Sequence, residues 1–332
     1  MAIEFLTTQT ETKQKVLDFV EEWNNSSDYI MVRTSGSTGK PKEIRLLKEH
    51  MTASAKATGE FLQLKNGDTT LLCLSMETIG GRMMVVRSMV LKLNLIVTDV
   101  SSTPLAGIDR KIDFAAMVPM QVQKSIEHKA DDVNNIQKLI VGGGPVSNEL
   151  IDRIQSTATQ VYHTFGMTET ISHIAMRQLN HPLHETFNCL PNVTITNRNG
   201  SLCITAPDIG VFELKTNDEV EVLSNQSFKW LGRTDFVINS GGIKLHPEVI
   251  EQSLTQFIQV PFFVYGEADD LLGERLILAL ESPVNMGITK KDLHELLSKH
   301  EVPKEIRYIQ QFEYTSSAVS YTHLTLPTST HG

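Results

Sequence analysis

The sequence predicts an α/β fold built around a largely parallel β-sheet. Short apolar runs alternate with helix-like runs between residues 9 and 164, as in chains made of strand–helix units. Several of the apolar runs end in turns rich in Gly, Ser and Thr, which is where such sheets collect ligands. After about residue 190 the pattern changes to short strands with polar turns, which indicates a β-rich part.

The first half of the chain supplies the strands of that sheet and its helices. Val16, Phe19, Val20 and Trp23 recur at helical spacing, which predicts a helix over residues 9–24. Strands are predicted at 29–32, 69–74, 93–98, 136–141 and 161–164. Further helices are predicted at 47–62, 82–91 and 149–155, the last with Ser147 as its N-cap.

The second half contains hairpins and a tail of different texture. Asn199-Gly200 is typical of a two-residue hairpin turn. After Gly241-Gly242 the pattern indicates a βαβ-like tail, and we place the boundary near residues 232–236. In that tail we expect helices at 247–257 and 289–299 and strands at 262–265 and 275–280.

Composition excludes several classes of protein. A formal net charge of -9 argues against an extended nucleic-acid surface. The three cysteines, Cys73, Cys189 and Cys203, lie far apart and indicate reduced buried thiols. The first residues lack a secretory pattern, and no run approaches the ~18 apolar residues of a membrane span. We therefore expect a soluble cytoplasmic protein, and homo-oligomerisation stays open.

The stretch VRTSGSTGKPKEI, residues 32–44, predicts a phosphate-binding loop. Consecutive backbone amides around Gly36 and Gly39 can form a concavity for an anion. The alternative is a solvated Gly/Ser turn. A GxxxxGK[ST] loop is excluded, because Thr34 stands where its first Gly belongs and Pro41 follows Lys40.

This loop resembles that of the adenylate-forming enzymes, the acyl-CoA and aryl-CoA ligases and luciferases. Their pattern, [ST]-[ST]-G-[ST]-T-G-x-P-K, is matched throughout residues 34–42. The resemblance implies a large N-terminal α/β domain, with parallel sheets and a small β subdomain, and a smaller mobile α+β C-terminal domain. It also implies a catalytic role for Lys42 and contacts to the ATP phosphates from Thr34, Ser35, Gly36, Ser37, Thr38 and Gly39.

Two further motifs are similar to that family's adenosine-binding segments. YHTFGMTET, residues 162–170, resembles its Y-G-x-T-E turn. The resemblance implies that Phe165 stacks on adenine, that Thr168 contacts phosphate and that Glu169 holds Mg²⁺. Further adenine or ribose contacts are implied for Gly142, Gly143, Gly144, Thr164 and Gly166.

The last motifs lie around the expected boundary. Asp218 stands where the family accepts the ribose hydroxyls, and the preceding Asn217 replaces a usual Gly in a turn where Asn tolerates the left-handed conformation. Gly232-Arg233-Thr234-Asp235 resembles the family's G-R-x-D, which implies that Arg233 reaches the ribose or phosphate and that Asp235 is the hinge of domain rotation. Residues 240–242 (Ser240, Gly241, Gly242) are expected to line the coenzyme A tunnel.

The family's reaction joins a carboxylic acid to a thiol through an acyl-adenylate, with ATP, Mg²⁺ and coenzyme A. The compact chain and the segments 74–91 and 163–177 resemble short bacterial o-succinylbenzoate–CoA ligases of menaquinone synthesis. Arg82, Ser172 and His173 are candidates for binding the second carboxylate of such an acid. Thr78 replaces the family's gating His. Another aryl- or acyl-CoA ligase is the alternative.

The end of the chain departs from the family. The family's catalytic lysine is expected just after Ser317, but Ala318-Val319 stand there and no lysine follows Lys304. We divide the chain into an AMP-binding domain (1–232, shorter than the family's), a lid domain (233–317) and an atypical tail (318–332), for which we hypothesise a frameshift, a chimeric gene end or an assembly artefact. Slow adenylation follows, and a non-catalytic nucleotide-binding protein is the second alternative.

Overall fold

The computed structural model of the chain describes residues 2–33 and 43–312. Its strands are β1 (Ile3–Phe5), β2 (Tyr29–Arg33), β3 (Glu43–Leu47), β4 (Thr69–Leu72), β5 (Asn94–Val97), β6 (Ile112–Met117), β7 (Ile136–Val141), β8 (Gln160–Gly166), β9 (His173–Gln178), β10 (Phe187–Cys189), β11 (Thr194–Arg198), β12 (Ser201–Ala206), β13 (Val211–Ser224), β14 (Ser227–Arg233), β15 (Ile238–Ser240), β16 (Ile243–Leu245), β17 (Phe262–Asp269), β18 (Gly273–Glu281) and β19 (Glu305–Ile309). The helices are α1 (Thr10–Asn24), α2 (Lys48–Phe61), α3 (Ile79–Leu91), α4 (Pro119–Val133), α5 (Asn148–Gln155), α6 (Pro247–Leu254) and α7 (Lys290–His294).

A twelve-stranded sheet runs through the first two thirds of the described chain. Its order is β1-β5-β4-β6-β7-β8-β9-β10-β14-β13-β12-β11. In this order, neighbouring strands from β1 as far as β8 pair in parallel. From β8 onward every pairing is antiparallel. The predicted α/β fold is confirmed, and the hairpins between residues 194 and 233 extend the same sheet instead of forming another.

Helix α3 lies within the core. Met83, Met84, Val85 and Val86 are all fully buried, so apolar residues cover adjacent faces of the helix instead of one stripe. The helix begins three residues earlier than predicted, at Ile79. Thr78 is its N-cap, and its hydroxyl accepts a hydrogen bond from the Gly81 amide at 3.3 Å.

Several local predictions need correction. Strand β3 was not predicted. It pairs antiparallel with β2, with Leu47 opposite Tyr29 at one end and Glu43 opposite Arg33 at the other. Strand β6 and helix α4 were also missed. Asn217 does not adopt the left-handed conformation, because β13 runs through it in extended geometry. The helix predicted at 289–299 is only the short α7, with Thr289 and Asp292 forming its capping box.

Residues 238–309 form a second, five-stranded sheet. Its order is β16-β15-β18-β17, with β19 beside β18. It has its own apolar cluster, which includes Ile250, Leu254, Leu276 and Leu278. The proposed division of the chain at 232/233 stays a prediction.

Polar contacts link α5 of the first part to α6, and to Gln256 just after it, in the second. Asn148 Nδ2 donates to the Gln252 carbonyl at 3.0 Å, and Gln252 Nε2 donates back to Asn148 Oδ1 at 3.0 Å. Gln256 Nε2 donates to Asp152 Oδ2 at 2.9 Å. Such a polar junction is typical of parts that can move relative to each other.

Among the helices of the described residues, none combines the length and the apolar character needed to cross a membrane.

Candidate active site

The candidate site lies where the parallel strands β7 and β8 end. Val141 and His163 are paired in register, so the segments that follow both strands leave the same edge of the sheet. One of these segments is the loop 142–144, and the other is the turn 166–173. The predicted phosphate-binding residues 34–39 and Lys42 lie outside the described residues, so their placement stays a prediction.

The loop after β7 is held against β8 by Thr164. Its hydroxyl donates to the Val141 carbonyl at 3.2 Å. A Cβ on Gly142 would come within 2.7 Å of the same hydroxyl, so Gly142 permits this close contact. Gly143 adopts φ of 75°, which favours glycine. For Gly142 and Gly143, two of the three predicted adenine-flanking glycines, the local structure therefore explains why glycine stands there.

The turn after β8 folds back tightly on itself. A Cβ on Gly166 would lie 2.4 Å from the Ser172 carbonyl oxygen and from His173 Cα, so only glycine fits. Thr168–Thr170 form one turn of 3-10 helix. The Thr170 hydroxyl accepts from the Met167 amide at 3.0 Å and donates to the Ser172 carbonyl at 2.7 Å. This network fixes the turn from within.

Ile171 carries backbone strain in this turn. Its φ and ψ are 66° and -51°, and the Ser172 amide donates to the Thr170 carbonyl at 2.7 Å. These values describe a γ-turn of the rare, strained kind, here on a β-branched residue. Burial of the Ile171 side chain at 2% exposure holds it in place. Strained backbone of this kind is concentrated at functional sites.

Glu169 is exposed at this turn, and no hydrogen bond or ion pair engages its carboxylate within the described part of the chain. The described residues contain no group of three His, Cys, Asp or Glu side chains that could hold a metal ion. A single free carboxylate fits Mg²⁺, which keeps several waters and takes other ligands from phosphate oxygens.

Phe165 belongs to an aromatic cluster. Its ring meets Phe187 and Phe228 edge-on, with centroids 5.8 and 5.2 Å away. Phe187 and Phe228 are themselves stacked at 5.4 Å. The cluster restricts the orientation of the Phe165 ring, and its predicted role at adenine stays a prediction.

A buried arginine that the sequence analysis missed lies behind the turn. Arg87 of α3 is 2% exposed, and burial lowers its pKa to about 10. Its Nη2 donates to Ser172 Oγ at 2.8 Å and its Nε to Thr58 Oγ1 at 3.4 Å. In the described parts of the chain, no carboxylate forms an ion pair with it. An arginine inside the apolar run MMVVRSMVL was the available signal.

His173 completes the surroundings of Arg87. Its Nε2 lies 3.1 Å from Thr58 Oγ1 and its Nδ1 3.4 Å from Ser172 Oγ. Because the Thr58 hydroxyl donates to the Ser54 carbonyl, it accepts from His173. Burial, and secondarily the charge of Arg87, lower the pKa of His173 well below its usual value. Among the described residues Thr58, Arg87, Ser172 and His173, a neutral His173 thus leaves Arg87 as the charged one.

His173 also lines a surface cleft of about 500 Å³. The cleft lies between α2 and the segments 190–193 and 206–209. His173 also ends the turn 166–173, so this residue is shared by the cleft and the candidate site.

The predicted substrate residue Arg82 is engaged elsewhere. It donates from Nη1 to the Met31 carbonyl at 2.6 Å and from Nε to the Met76 carbonyl at 3.0 Å. Its guanidinium also lies over the Phe19 ring. Of the three candidates, the structure brings Ser172 and His173 together, and places Arg87 beside them in the position expected of Arg82.

The predicted ribose residues lie on paired strands. Asp218 and Arg233 are opposite each other in β13 and β14. Asp218 is 5% exposed, and its Oδ1 accepts from Trp230 Nε1 at 2.9 Å. Arg233 forms an ion pair of 2.6 Å with Asp235 Oδ2, which also accepts from Asn217 at 3.0 Å. Asp235, the expected hinge residue, is thus bound to both Arg233 and Asn217.

The predicted coenzyme A residues form the turn between β15 and β16. Gly241 and Gly242 have φ of 60° and 79°, as a two-residue hairpin turn of type I′ requires. The Gly241 amide donates to the Leu272 carbonyl at 2.8 Å. Ser240 ends β15, and all three roles stay predictions. The expected lysine position after Ser317 lies outside the described residues.

Comparison with known proteins gives one family match and several relatives. A family model described as AMP-binding enzyme matches residues 3–208. The solved acyl-CoA synthetase (AMP-forming)/AMP-acid ligase II-like protein from Dyadobacter fermentans is 36% identical, with a TM-score of 0.67. The alignment covers 93% of this chain and 92% of that one, so the two have nearly equal lengths.

Longer relatives are more distant. The 2-succinylbenzoate–CoA ligase of Bacillus cytotoxicus is 24% identical over 345 residues, which cover 92% of this chain and 71% of the relative. The o-succinylbenzoate coenzyme A synthetase of Bacillus subtilis, solved with ATP and magnesium ion, is 22% identical with a TM-score of 0.69. Here 86% of this chain and 66% of that one align, and the likeness concerns the fold.

Proposed function

The chain belongs to the AMP-binding enzyme family, and from this premise we propose that it is an ATP-dependent acid–CoA ligase that works through an acyl-adenylate. The supporting observation is the tight turn 166–173, which presents Thr168 and Glu169 beside the loop 142–144. The names of the relatives described above support the same reaction.

In the proposed reaction a substrate carboxylate attacks the α-phosphate of ATP and releases pyrophosphate. The sulfur of coenzyme A then displaces AMP and forms the thioester. Both steps bring anions together, so the protein acts mainly by positioning and by electrostatic stabilisation. Lys42 and the amides of residues 34–39 would hold the phosphates, and Thr168 would add a hydroxyl donor.

Glu169 would hold Mg²⁺, which when bound neutralises charge on the phosphate oxygens. Asp218 would accept from the ribose hydroxyls through the oxygen that Trp230 leaves free. Phe165 and residues 142–144 would enclose adenine. Residues 240–242 would reach coenzyme A after the part beyond Asp235 rotates.

We propose that the acid carries two carboxylates, as o-succinylbenzoate does in menaquinone synthesis. Arg87 supports this, because an uncompensated buried cation is costly unless an anion joins it. Ser172 would share the second carboxylate with Arg87. A location in the cytoplasm, where ATP and coenzyme A are available, agrees with this role.

Two alternatives remain open. Another aryl- or acyl-CoA ligase would use the same turn and loop with a different acid. A nucleotide- or acyl-adenylate-binding protein without turnover is favoured by the sequence after Ser317, where Ala318-Val319 replace the family's Gly-Lys. That observation supports slow adenylation under each ligase alternative as well.

The test is a panel of mono- and dicarboxylic acids incubated with ATP, Mg²⁺ and coenzyme A. AMP and acyl-CoA are measured by mass spectrometry, with omission of the acid as control. We expect acyl-CoA from an aromatic dicarboxylic acid. ATP binding without any thioester, even from supplied acyl-adenylates, would support the non-catalytic alternative. Absence of ATP binding would contradict the proposal as a whole.

A further inference from the structure

His163 and Arg177 face each other across the antiparallel pair β8 and β9. They are partners in register, and Arg177 Nη2 lies 3.3 Å from His163 Nδ1. Arginine has donors and no acceptor, so His163 Nδ1 must be the unprotonated, accepting nitrogen. The proton of the neutral ring is therefore on Nε2, and Arg177 fixes this tautomer.

The other side of the His163 ring contacts the loop after β7. Its hydrogen-bond partner there is the backbone of Gly144. Burial and the charge of Arg177 lower the pKa of His163 to about 3, and the bond with Gly144 opposes them. Gly144 therefore lies beside the ring of His163, on the loop that follows β7. Arg177, His163 and Gly144 thus form one chain of contacts.

Arg177 also supports the aromatic cluster. Its guanidinium lies 5.2 Å from the centre of the Phe187 ring. The Phe187 ring contacts Phe165 edge-on at 5.8 Å. One side chain therefore reaches both the loop 142–144, through His163, and Phe165, through Phe187.

The fold does not satisfy every donor of this arginine. Its Nε is buried and has no hydrogen-bond partner among the residues that the structure describes. Burial lowers its pKa, and the charge of Glu185 only partly opposes this. Leaving a buried donor unpaired costs free energy, and an apolar side chain of similar length would avoid this cost.

We propose that Arg177 is a positioning residue for a purine nucleotide. It is linked through His163 to the end of β7 beside the loop 142–144, and through Phe187 to Phe165, and the base would lie between these two segments. The ligand class rests on the proposed function, in which Phe165 and residues 142–144 enclose adenine. Arg177 makes no contact with the nucleotide itself. It acts through the His163 tautomer and through Phe187.

The experiment compares Arg177→Met, Arg177→Lys and the control Arg198→Met, which removes an exposed arginine paired with Glu213. ATP and AMP dissociation constants are measured by calorimetry, and the ¹⁵N shifts of the His163 ring by NMR. For Arg177→Met we expect nucleotide binding weakened by about 10-fold or more, as for a displaced binding group. Its melting temperature should stay unchanged or rise, and the His163 shifts should indicate mixed tautomers.

In the Lys variant, which keeps a charged donor, binding should be partly restored, and the control should bind as the wild type does. In turnover assays the effect should appear in KM for ATP, with kcat nearly unchanged. Should Arg177→Met fail to fold, Arg177→Gln provides the same test, since it removes the charge and shortens the side chain.

The outcomes separate the two proposals. Wild-type binding of ATP with equal binding by Arg177→Met, or by Arg177→Gln in its place, overturns this inference alone. So does a single His163 tautomer in the variant. A wild-type protein that binds neither ATP nor AMP overturns the proposed function, and this inference with it.

Discussion

Arg87 Nη2 lies 2.8 Å from Ser172 Oγ, and this bond joins the buried helix α3 to the strained turn after β8. Arg87 forms no ion pair with a carboxylate in the described residues, so the charge is available to a ligand. Under the proposed function, this relationship distinguishes the proposed acid-binding side of the site from the proposed nucleotide side.

Replacement of Arg87 should change acid binding and leave nucleotide binding intact. For Arg87→Met we expect KM for a dicarboxylic acid to rise about 100-fold, since a charged hydrogen-bonding partner of the ligand is lost. KM for ATP should change little. Steady-state kinetics with each substrate varied in turn measures both values. Arg110→Met, at an exposed ion pair with Glu4, is the matched control.

The same variant should not be less stable. An isolated buried cation replaced by an apolar side chain is typically neutral or stabilising. Thermal unfolding of Arg87→Met should therefore occur at or above the wild-type temperature. A large loss of stability together with unchanged KM for every acid would mean that Arg87 only holds the turn in place.

Two adjacent glycines in α3 should respond differently to alanine. A Cβ on Gly81 would lie 2.2 Å from the Ser75 carbonyl oxygen, which is backbone and cannot move away. We expect Gly81→Ala to lose about 1–3 kcal/mol of unfolding free energy. A Cβ on Gly80 would meet the Leu74 side chain at 3.3 Å and the Thr78 hydroxyl at 3.8 Å, so Gly80→Ala should be neutral or gain up to about 1 kcal/mol. Urea unfolding of both variants tests this, and equal effects would contradict it.

Glu251 should make stability depend on pH. The pKa of Glu251 is raised from 4.5 to about 8, mainly by burial. The Val264 amide donates to Glu251 Oε1 at 2.7 Å. The pKa of Glu251 is higher in the folded protein than in the unfolded chain, so the protonated carboxyl group contributes to stability. This contribution is fully present below pH 4.5 and is lost as the pH rises through about 8. The free energy of unfolding should therefore fall between these values.

Glu251→Gln keeps the acceptor for Val264 and cannot ionise. We expect it to remove this decline, so that at pH 9 the variant exceeds the wild type by at most about 5 kcal/mol. Urea unfolding at pH 5 and pH 9 measures the difference. The exposed Glu295→Gln is the control. A wild-type stability that does not fall over this range would show that Glu251 ionises as an ordinary carboxylate does.

Restoring a lysine after Ser317 should accelerate adenylation. For Ala318→Gly with Val319→Lys we expect pyrophosphate release to rise about 10²–10³-fold, the usual value of one positioned charge-stabilising donor. Thioester formation from a supplied acyl-adenylate should change little. Val319→Met, similar in length and uncharged, is the control. Fast pyrophosphate release by the unmodified chain would show that this lysine is dispensable here.

The local sequence predicted the segments in which side-chain spacing is regular. The helix at 9–24 became α1 (Thr10–Asn24), and Asn199 and Gly200 have the positive φ values of the expected hairpin turn. Strand β3 was missed because its residues continue directly into α2, and only pairing with β2 defines it. Pairing of this kind does not change the local side-chain spacing from which strands are predicted.

Within the site, the glycines were predictable and the charges were not. Gly142 and Gly166 are required by close contacts that their turns imply. Arg87 was missed because its partner Ser172 is 85 residues away, and the cost of its burial appears only once α3 is covered on all sides. Arg82, nearer the start of the helix, was the more obvious candidate and instead binds backbone carbonyls.

Strand β8 carries His163 towards the proposed nucleotide side and continues into Gly166 and the turn that contains Ser172. A change in the tilt or register of this one strand would disturb the recognition of both substrates together. Helix α3 contributes Arg87 and none of the proposed nucleotide contacts. New acid preferences could therefore evolve through substitutions on α3 while the handling of ATP is inherited unchanged.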